Sequence, residues 1–154
     1  MAQIVIRRLA DTDTRGLIAL RREWTEENEG GPIDDPSYEE RFADWMIRTG
    51  ADRRAWVAEA DGELVGMINM ALFDRMPRPG RDNSTWGYVA NVYVRPEFRN
   101  AGVGKLLIDE LMAYARSARL ARVVLHPSER AVPFYERAGF GPADMLMAHT
   151  LITS

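Results

Sequence analysis

The chain has 154 residues, of which 46% are hydrophobic and 28% charged, and its formal net charge is −3. These values fit a single soluble domain over residues 1–154, and they argue against nucleic acid as the main partner because phosphate binding requires a basic face. The absence of cysteine excludes disulfides, thiolate metal sites and cysteine nucleophiles. The sequence shows neither a signal-peptide pattern nor an apolar run of the roughly 20 residues that span a bilayer, so we expect a cytoplasmic protein without membrane contact.

The first third of the chain predicts a strand followed by two helices. Residues 3–9 alternate weakly in polarity and include β-branched side chains, which favours a strand. Asp11 or Thr12 is a suitable N-cap for the first helix, which has an apolar stripe and ends at the Gly-Gly-Pro sequence at 30–32. The Pro-Ser sequence at 36–37 begins the second helix.

The rest of the chain predicts a sheet with further helices. Strands are predicted, from β-branched content and from turn signals such as an Asp-Gly pair, at 54–59, 64–73, 86–94, 122–125 and 145–152. Helical spacing of apolar residues predicts helices at 103–114 and 131–138. This order of elements predicts an α/β fold, with a twisted mixed sheet of six or seven strands and about four helices packed against it.

The junction between the strand at 86–94 and the next helix is the most informative segment. Gly102 and Gly104 lie at the start of that helix, where unpaired N–H groups and the helix dipole favour an anion. Glycine lets the anion approach the backbone closely, and Arg99 and Lys105 add positive charge on either side. We therefore predict a pyrophosphate site, with an ordinary glycine-containing turn as the alternative.

Two other phosphate-binding loops are excluded by residues in this segment. A P-loop requires a glycine where Arg99 stands, and a serine or threonine where Leu106 stands. The Rossmann fingerprint requires a third glycine at the position of Leu107.

Two blocks of sequence resemble the GNAT superfamily of acetyl-CoA-dependent N-acetyltransferases. The string RNAGVG at 99–104 is similar to that family's Arg/Gln-x-x-Gly-x-Gly/Ala pyrophosphate loop, and the preceding Val-x-Pro-Glu at 94–97 to the end of its fourth strand. The string VVLHPSERAVPFYERAGF at 123–140 resembles its fifth strand and the following helix. The resemblance implies acetyl-CoA as cosubstrate, no metal, and a sheet that splays between the fourth and fifth strands.

The resemblance also implies the residues that hold the cosubstrate. Main-chain groups around Tyr93, at Val92 and Val94, would pair with the pantetheine amides as an added strand would, and an N–H near Val92 would stabilise the oxyanion. The pyrophosphate would be bound, beside Arg99, by the backbone amides of Asn100, Ala101, Gly102, Val103, Gly104 and Lys105. Ser128 stands where many relatives have an asparagine that contacts the cofactor, and serine is shorter.

Three side chains are candidates for the chemistry. Tyr135 lies four residues before Gly139, where the resembled family places the general acid that protonates the thiolate, and the alternative is a tyrosine packed on the core. Relatives with a glutamate base would place it near Tyr88, which is not a carboxylate. His126 is a candidate base, since its intrinsic pKa suits that role, although it could simply terminate its strand. Asn91 could orient substrate or water, and a water chain is a further candidate for the base.

A run of acidic residues marks the end of the first helix and the loop after it. It contains no basic residue and consists of Glu23, Glu26, Glu27, Glu29, Asp34 and Asp35. The resemblance places this stretch beside the acceptor entrance, where it would attract a cationic amine. A solvated helix face is the alternative.

The predicted function is transfer of an acetyl group from acetyl-CoA to a primary amine of a small molecule. The predicted mechanism is direct attack in a ternary complex, and the absence of cysteine excludes a covalent cysteine intermediate. A non-catalytic CoA-binding regulatory module and a transferase of another acyl group or to an alcohol are the alternatives. Dimers are common in the resembled family, so a homodimer is expected.

Overall fold

The computed structural model describes residues 3–152. One sheet has its strands in sequence order: β1 (Ile4–Arg8), β2 (Arg53–Ala60), β3 (Glu63–Phe73), β4 (Trp86–Val94) and β5 (Arg122–Leu125). Neighbouring strands are antiparallel except β4 and β5, which are parallel. The helices are α1 (Thr14–Glu29), α2 (Tyr38–Thr49), α3 (Val103–Ser117) and α4 (Val132–Arg137).

The predicted α/β class, the mixed sheet and the four helices are confirmed, but the expected six or seven strands are wrong. The described chain has five, because residues 145–152 form no strand. A strand requires the backbone hydrogen bonds of a neighbour, and a polarity pattern does not reveal whether one is available. The apolar side chains of this segment are largely exposed instead: Met145 84%, Leu146 47%, Met147 99%, Leu151 85% and Ile152 84%.

Local signals fix the ends of several elements. Asp61 and Gly62 both have positive φ, 51° and 81°, as a two-residue hairpin turn of the predicted type requires. Helix α1 ends at Gly30, whose left-handed conformation (φ 86°) lets its N–H donate to the carbonyl of Glu26 at 2.9 Å.

Helices cover both faces of the sheet, so that the fold has three layers. On one face Leu107, Ile108 and Leu111 of α3 are fully buried against the sheet. On the other face Leu17 and Leu20 of α1 pack on the opposite side chains of the same strands. Each fully buried aliphatic side chain contributes about 1.5–3 kcal/mol relative to exposure.

A bulge in β4 opens the sheet at one end. Asn69 pairs with Asn91 but Met70 pairs with Val89, so Ala90 is an extra residue in β4. On its other edge, β4 pairs with β5 only up to Val89, opposite Leu125. Residues 90–94 of β4 therefore have no strand on that side, and the predicted splay between the fourth and fifth strands is confirmed.

Candidate active site

The loop before α3 presents free backbone donors. Asn100 and Gly102 are left-handed, with φ of 61° and 82°. The first helical bond of α3 runs from the Leu106 N–H to the Gly102 carbonyl at 3.0 Å. The N–H groups of residues 103–105 thus lie at the positive end of a 15-residue helix without helical partners. They border a cavity of about 560 Å³, which the residues of the predicted pyrophosphate loop other than Ala101 line together with Phe134 and Arg137.

Two of the three cations at this cavity already have carboxylate partners. Lys105 contacts Asp109 at 2.6 Å. Arg99 binds Glu27 through two hydrogen bonds, and its Nε donates to the Val94 carbonyl at 2.8 Å. Arg137 has no carboxylate partner among residues 3–152. The backbone amides and Arg137 are therefore the donors most available to an anion.

The backbone of β4 beyond the bulge is aimed at the open gap. The Arg95 N–H donates to the Val65 carbonyl of β3 at 2.9 Å. Because backbone groups alternate in direction along a strand, those of Val92 and Val94 point away from β3, into the gap. This is the direction that the predicted pairing with pantetheine requires, although the Val94 carbonyl is shared with Arg99.

Tyr93 lies in the middle of this stretch but faces elsewhere. The backbone N–H and carbonyl of Tyr93 point towards β3. Its buried ring stacks on Trp24 of α1, with the ring centroids 5.6 Å apart. Its hydroxyl donates to Oε2 of Glu27 at 3.1 Å. Burial and this bond raise the pKa of Tyr93 to about 12. Tyr93 therefore supports α1, and nothing in its geometry directs it towards a cosubstrate.

The candidates near β5 and α4 have different surroundings. Tyr135 is half-buried, packs edge-on against Phe134 and Phe140, and lines a groove that includes Leu125, the last residue of β5. Burial raises the pKa of Tyr135 above its ordinary value. Because that ordinary value is itself far above 7, the hydroxyl is protonated at neutral pH. His126 is exposed. Ser128 is also exposed, and its Oγ accepts from the Ala131 N–H at 3.3 Å, so this side chain caps a helical turn.

Asn91 has a partner that sequence reasoning missed. Asn69 Nδ2 donates to Asn91 Oδ1 at 3.3 Å, beside the bulge. Asn69 Oδ1 is buried and has no hydrogen-bond partner in the described part of the chain. The feature of the sequence that could have indicated this partner is the amide of Asn69 in the middle of the apolar run LVGMINMALF.

Both asparagines line a second cavity, of about 520 Å³, between the sheet and helices α1 and α2. We call it the acceptor cavity. Its floor includes Met67 and Ile68, and an aromatic wall is formed by Tyr38, Phe42 and Trp45. Four arginines and one carboxylate line it: Arg21, Arg41, Arg48, Arg53 and Asp44. The sequence did not reveal this basic set, because its members are scattered over three elements.

The acidic run does not present a free negative surface. Four of its six carboxylates bind arginines: Glu23 binds Arg95, Glu26 binds Arg22, Glu27 binds Arg99, and Asp35 binds Arg41. The expectation that this run attracts a cationic acceptor depends on unpaired carboxylates. With four of the six carboxylates paired, the run would attract a cationic acceptor less strongly than expected.

Two further features of residues 3–152 concern metals and membranes. They contain no group of three or more His, Asp or Glu side chains arranged to hold a metal ion. Across that same range, none of the helices combines the length and apolarity needed to cross a bilayer.

Curated relatives match part of the chain. A glucosamine 6-phosphate N-acetyltransferase from Trypanosoma brucei brucei is 35% identical over 99 residues, 64% of this chain and 65% of that protein. An aminoglycoside N(6′)-acetyltransferase type 1 from Stenotrophomonas maltophilia is 31% identical over 86 residues, 50% of this chain and 56% of that protein. The matches thus span less than two thirds of the length of these relatives.

Solved structures and a family model match more of the chain. The crystal structure of a Trypanosoma brucei acetyltransferase has a TM-score of 0.73 at 28% identity, over 97% of this chain and 100% of that one. A predicted acetyltransferase from Clostridium acetobutylicum, crystallised with acetyl-CoA, shares the fold with a TM-score of 0.78 at 20% identity, over 97% of both chains. Residues 17–140 match the model of the Acetyltransferase (GNAT) family. On this match, over most of its length, the chain belongs to the GNAT acetyltransferase family.

Proposed function

We propose that the protein transfers an acetyl group from acetyl-CoA to a primary amine of a small molecule. The observation that carries this proposal is the bulge at Ala90, which frees residues 90–94 of β4 from β5. The edge thus released leads from the loop before α3 to Asn91, which lines the acceptor cavity. A thioester held along this edge would have the loop at its phosphate end and the acceptor cavity at its acyl end.

The residues of this site have the hydrogen-bonding groups and charge that CoA binding requires. Free N–H groups at the start of α3 and the Arg137 guanidinium suit a pyrophosphate, and the left-handed Gly102 leaves open space above the backbone. The outward backbone groups of Val92 and Val94 suit the amides of pantetheine. Acetyl-CoA, when bound, supplies the activated acyl group.

The proposed reaction is a direct acyl transfer. The lone pair of the neutral amine attacks the thioester carbonyl carbon, a C–N bond forms, and the C–S bond breaks. The Val92 N–H would stabilise the negative charge that develops on the carbonyl oxygen. Tyr135, whose hydroxyl is protonated at neutral pH, would donate its proton to the departing sulfur and would then be reprotonated by water. The proton released by the amine would pass to water, with Asn91 orienting the nitrogen. His126 is the alternative base.

The size of the acceptor cavity and the relatives support a sugar-sized acceptor. A volume of about 520 Å³ is within the range of small-molecule sites. The two relatives described above are named for glucosamine 6-phosphate, the phosphate of an amino sugar, and for aminoglycosides, which contain amino sugars. We therefore propose an amine on a sugar-like molecule.

A panel of amines tests this function, with acetyl-CoA consumption and product mass as readouts. We expect at least one amine to gain a single acetyl group. CoA binding by calorimetry without turnover of any amine would instead favour a non-catalytic CoA-binding module. Faster turnover of longer thioesters than of acetyl-CoA would identify a different acyl donor.

We also propose that two chains form a homodimer through residues 145–152. The apolar side chains of this segment are largely exposed in one chain. Strand β5 is at the edge of the sheet and borders a groove of about 650 Å³ with largely apolar walls. Residues 145–152 of a second copy would add a strand to the free edge of β5 and bury their apolar side chains in this groove.

A further inference from the structure

We propose that the acceptor carries, besides its amine, an oxyanion group such as a phosphate or carboxylate, which binds Arg21, Arg53 and the hydroxyl of Tyr38 in the acceptor cavity. This inference rests on the proposed function, since it assigns the cavity to the acceptor. It also reverses the preference for cationic amines that the acidic run suggested.

The charge of the cavity wall is the first argument. Of its four arginines, Arg48 pairs with Asp44 at 2.6 Å and Arg41 pairs with Asp35. Arg21 and Arg53 have no carboxylate partner in the part of the chain that the structure describes. Two uncompensated guanidinium groups in one concave site favour an anion and disfavour a second cation on the ligand.

Arg53 is held in place but not neutralised. Its Nε donates to Thr49 Oγ1 at 3.1 Å and its Nη2 to the Met46 carbonyl at 3.1 Å, while its guanidinium lies over the Trp45 ring at 4.7 Å. Nη1 has no acceptor among residues 3–152. Burial lowers the pKa of Arg53, because the charge is partly removed from water without a counter-ion. An oxyanion would satisfy Nη1 and offset this cost.

Tyr38 supplies a neutral donor near the same charges. Its hydroxyl is buried and, within residues 3–152, has no hydrogen-bond partner. Arg21 and Arg41 are close enough to oppose the rise in the Tyr38 pKa that burial causes. A buried hydroxyl that lacks an acceptor costs free energy, and an oxyanion accepts from hydroxyl and guanidinium donors alike.

The sheet end of the cavity offers the opposite chemistry. Asn69 Oδ1 is a buried acceptor without a donor in the described chain, next to Asn91 and the bulge. An amine N–H would satisfy it. The cavity is therefore polarised, with donors on α1, α2 and β2 for an oxyanion, and with an acceptor beside β4 for the amine.

Matched amines and matched variants test the inference. The probes are ethanolamine, phosphoethanolamine, β-alanine and 1,3-diaminopropane, compared by kcat/KM at saturating acetyl-CoA. We expect the anionic amines to exceed the neutral one by about tenfold or more and the diamine to be poorest. Arg21→Gln and Arg53→Gln should each remove most of this preference, and Arg53→Lys should restore part of it.

Arg54→Gln is the control. Arg54 is the next residue of β2, and its side chain turns to the other face of the sheet, where Nε donates to the Tyr114 hydroxyl at 3.0 Å. The control removes the same charge from the same strand and should leave the preference intact. If thermal melts show that Arg53→Gln does not fold, Arg21→Gln carries the comparison alone.

A second readout is independent of turnover. Inorganic phosphate, titrated by calorimetry with CoA saturating so that the loop before α3 is occupied, should bind wild-type protein and bind the Arg21 and Arg53 variants at least about tenfold more weakly. Equal phosphate binding by all variants would overturn the inference, as would a preference for neutral or cationic amines that the variants leave unchanged. If the wild-type protein acetylates none of the amines, the proposed function is overturned. The phosphate titration would still decide the inference.

Discussion

The Arg99 guanidinium binds the Glu27 carboxylate through two hydrogen bonds of 2.8 and 2.9 Å, which join residues 72 positions apart in sequence. Arg99 belongs to the loop before α3, and Glu27 to the last turns of α1, a helix that lines the acceptor cavity. The Tyr93 hydroxyl binds the same carboxylate. One charged cluster thus connects the proposed donor and acceptor sites.

Glu27→Gln tests this pair through the pH dependence of stability. Arg99 and the Tyr93 hydroxyl hold the pKa of Glu27 below its ordinary value. The stabilisation is therefore present above the ordinary glutamate pKa of about 4.3 and is lost as pH falls through the lower folded-state value. Because both side chains are more than a third exposed, we expect the variant to lose only about 1 kcal/mol or less in urea unfolding at pH 7.

This difference between wild type and Glu27→Gln should stay constant from pH 8 to pH 5 and close at more acidic pH. Glu29→Gln, which removes a carboxylate two residues along α1 that forms no ion pair in the described chain, should show no such closing. A difference at pH 3 as large as at pH 7 would contradict the ion-pair interpretation.

Gly102→Val tests the loop. The left-handed φ of 82° disfavours any residue with a Cβ, and the added side chain would stand where an anion would approach. We expect calorimetry to show at least about tenfold weaker CoA binding by the folded variant. Gly80→Val imposes similar strain, since Gly80 has a φ of 79° in a loop outside the cavity before α3, and should leave CoA affinity unchanged. Equal affinity in both variants would remove the pyrophosphate assignment.

Tyr135→Phe tests the proposed general acid by deleting one hydroxyl and keeping the ring. If the hydroxyl protonates the sulfur, kcat should fall by roughly 10²-fold or more, whereas KM for acetyl-CoA should change little. Tyr114→Phe, which removes a hydroxyl that only accepts from Arg54, is the matched control. A near-normal kcat for Tyr135→Phe, measured where chemistry limits turnover, would show that another group is the acid.

Charged substitutions within residues 145–152 test the proposed homodimer. Met147→Glu and Leu151→Glu together should convert a species of twice the chain mass into a monomer in light scattering, because a charge cannot be covered in an apolar groove without cost. Ile47→Glu, on the exposed face of α2, should leave the mass unchanged. A monomeric wild-type protein would contradict the proposal.

The sequence predicted the elements whose signals are local. The bounds of β4 and β5 and the start of α3 at Val103 agree with the structure, because turns, glycines and apolar spacing define them within a few residues. The segment at 145–152 has the same local pattern as a strand but no strand beside it among residues 3–152. Pairing partners are a property of the whole fold, and no local pattern encodes them.

The two halves of the site also differed in how far the sequence could predict them. The loop before α3 is one continuous string, so its chemistry could be predicted from order and spacing. The acceptor cavity joins Arg21 on α1, Tyr38 on α2, Arg53 on β2 and Asn69 on β3, which only the packing of the helices on the sheet brings together. The ion pairs of the acidic run could not be predicted for a related reason, since the arginines that bind four of its carboxylates include Arg95 and Arg99, far away in sequence.

The extra residue at Ala90 has a consequence for protein engineering. The extra residue of a bulge bends its strand and increases the local twist, while the pairs on either side of it stay matched. Deleting Ala90 would leave Val89 opposite Met70 and Asn91 opposite Asn69, but it would remove the bend at the point where β4 and β5 part. Substrate scope is therefore better redesigned by exchanging side chains on α1 and α2, with the length of β4 left untouched.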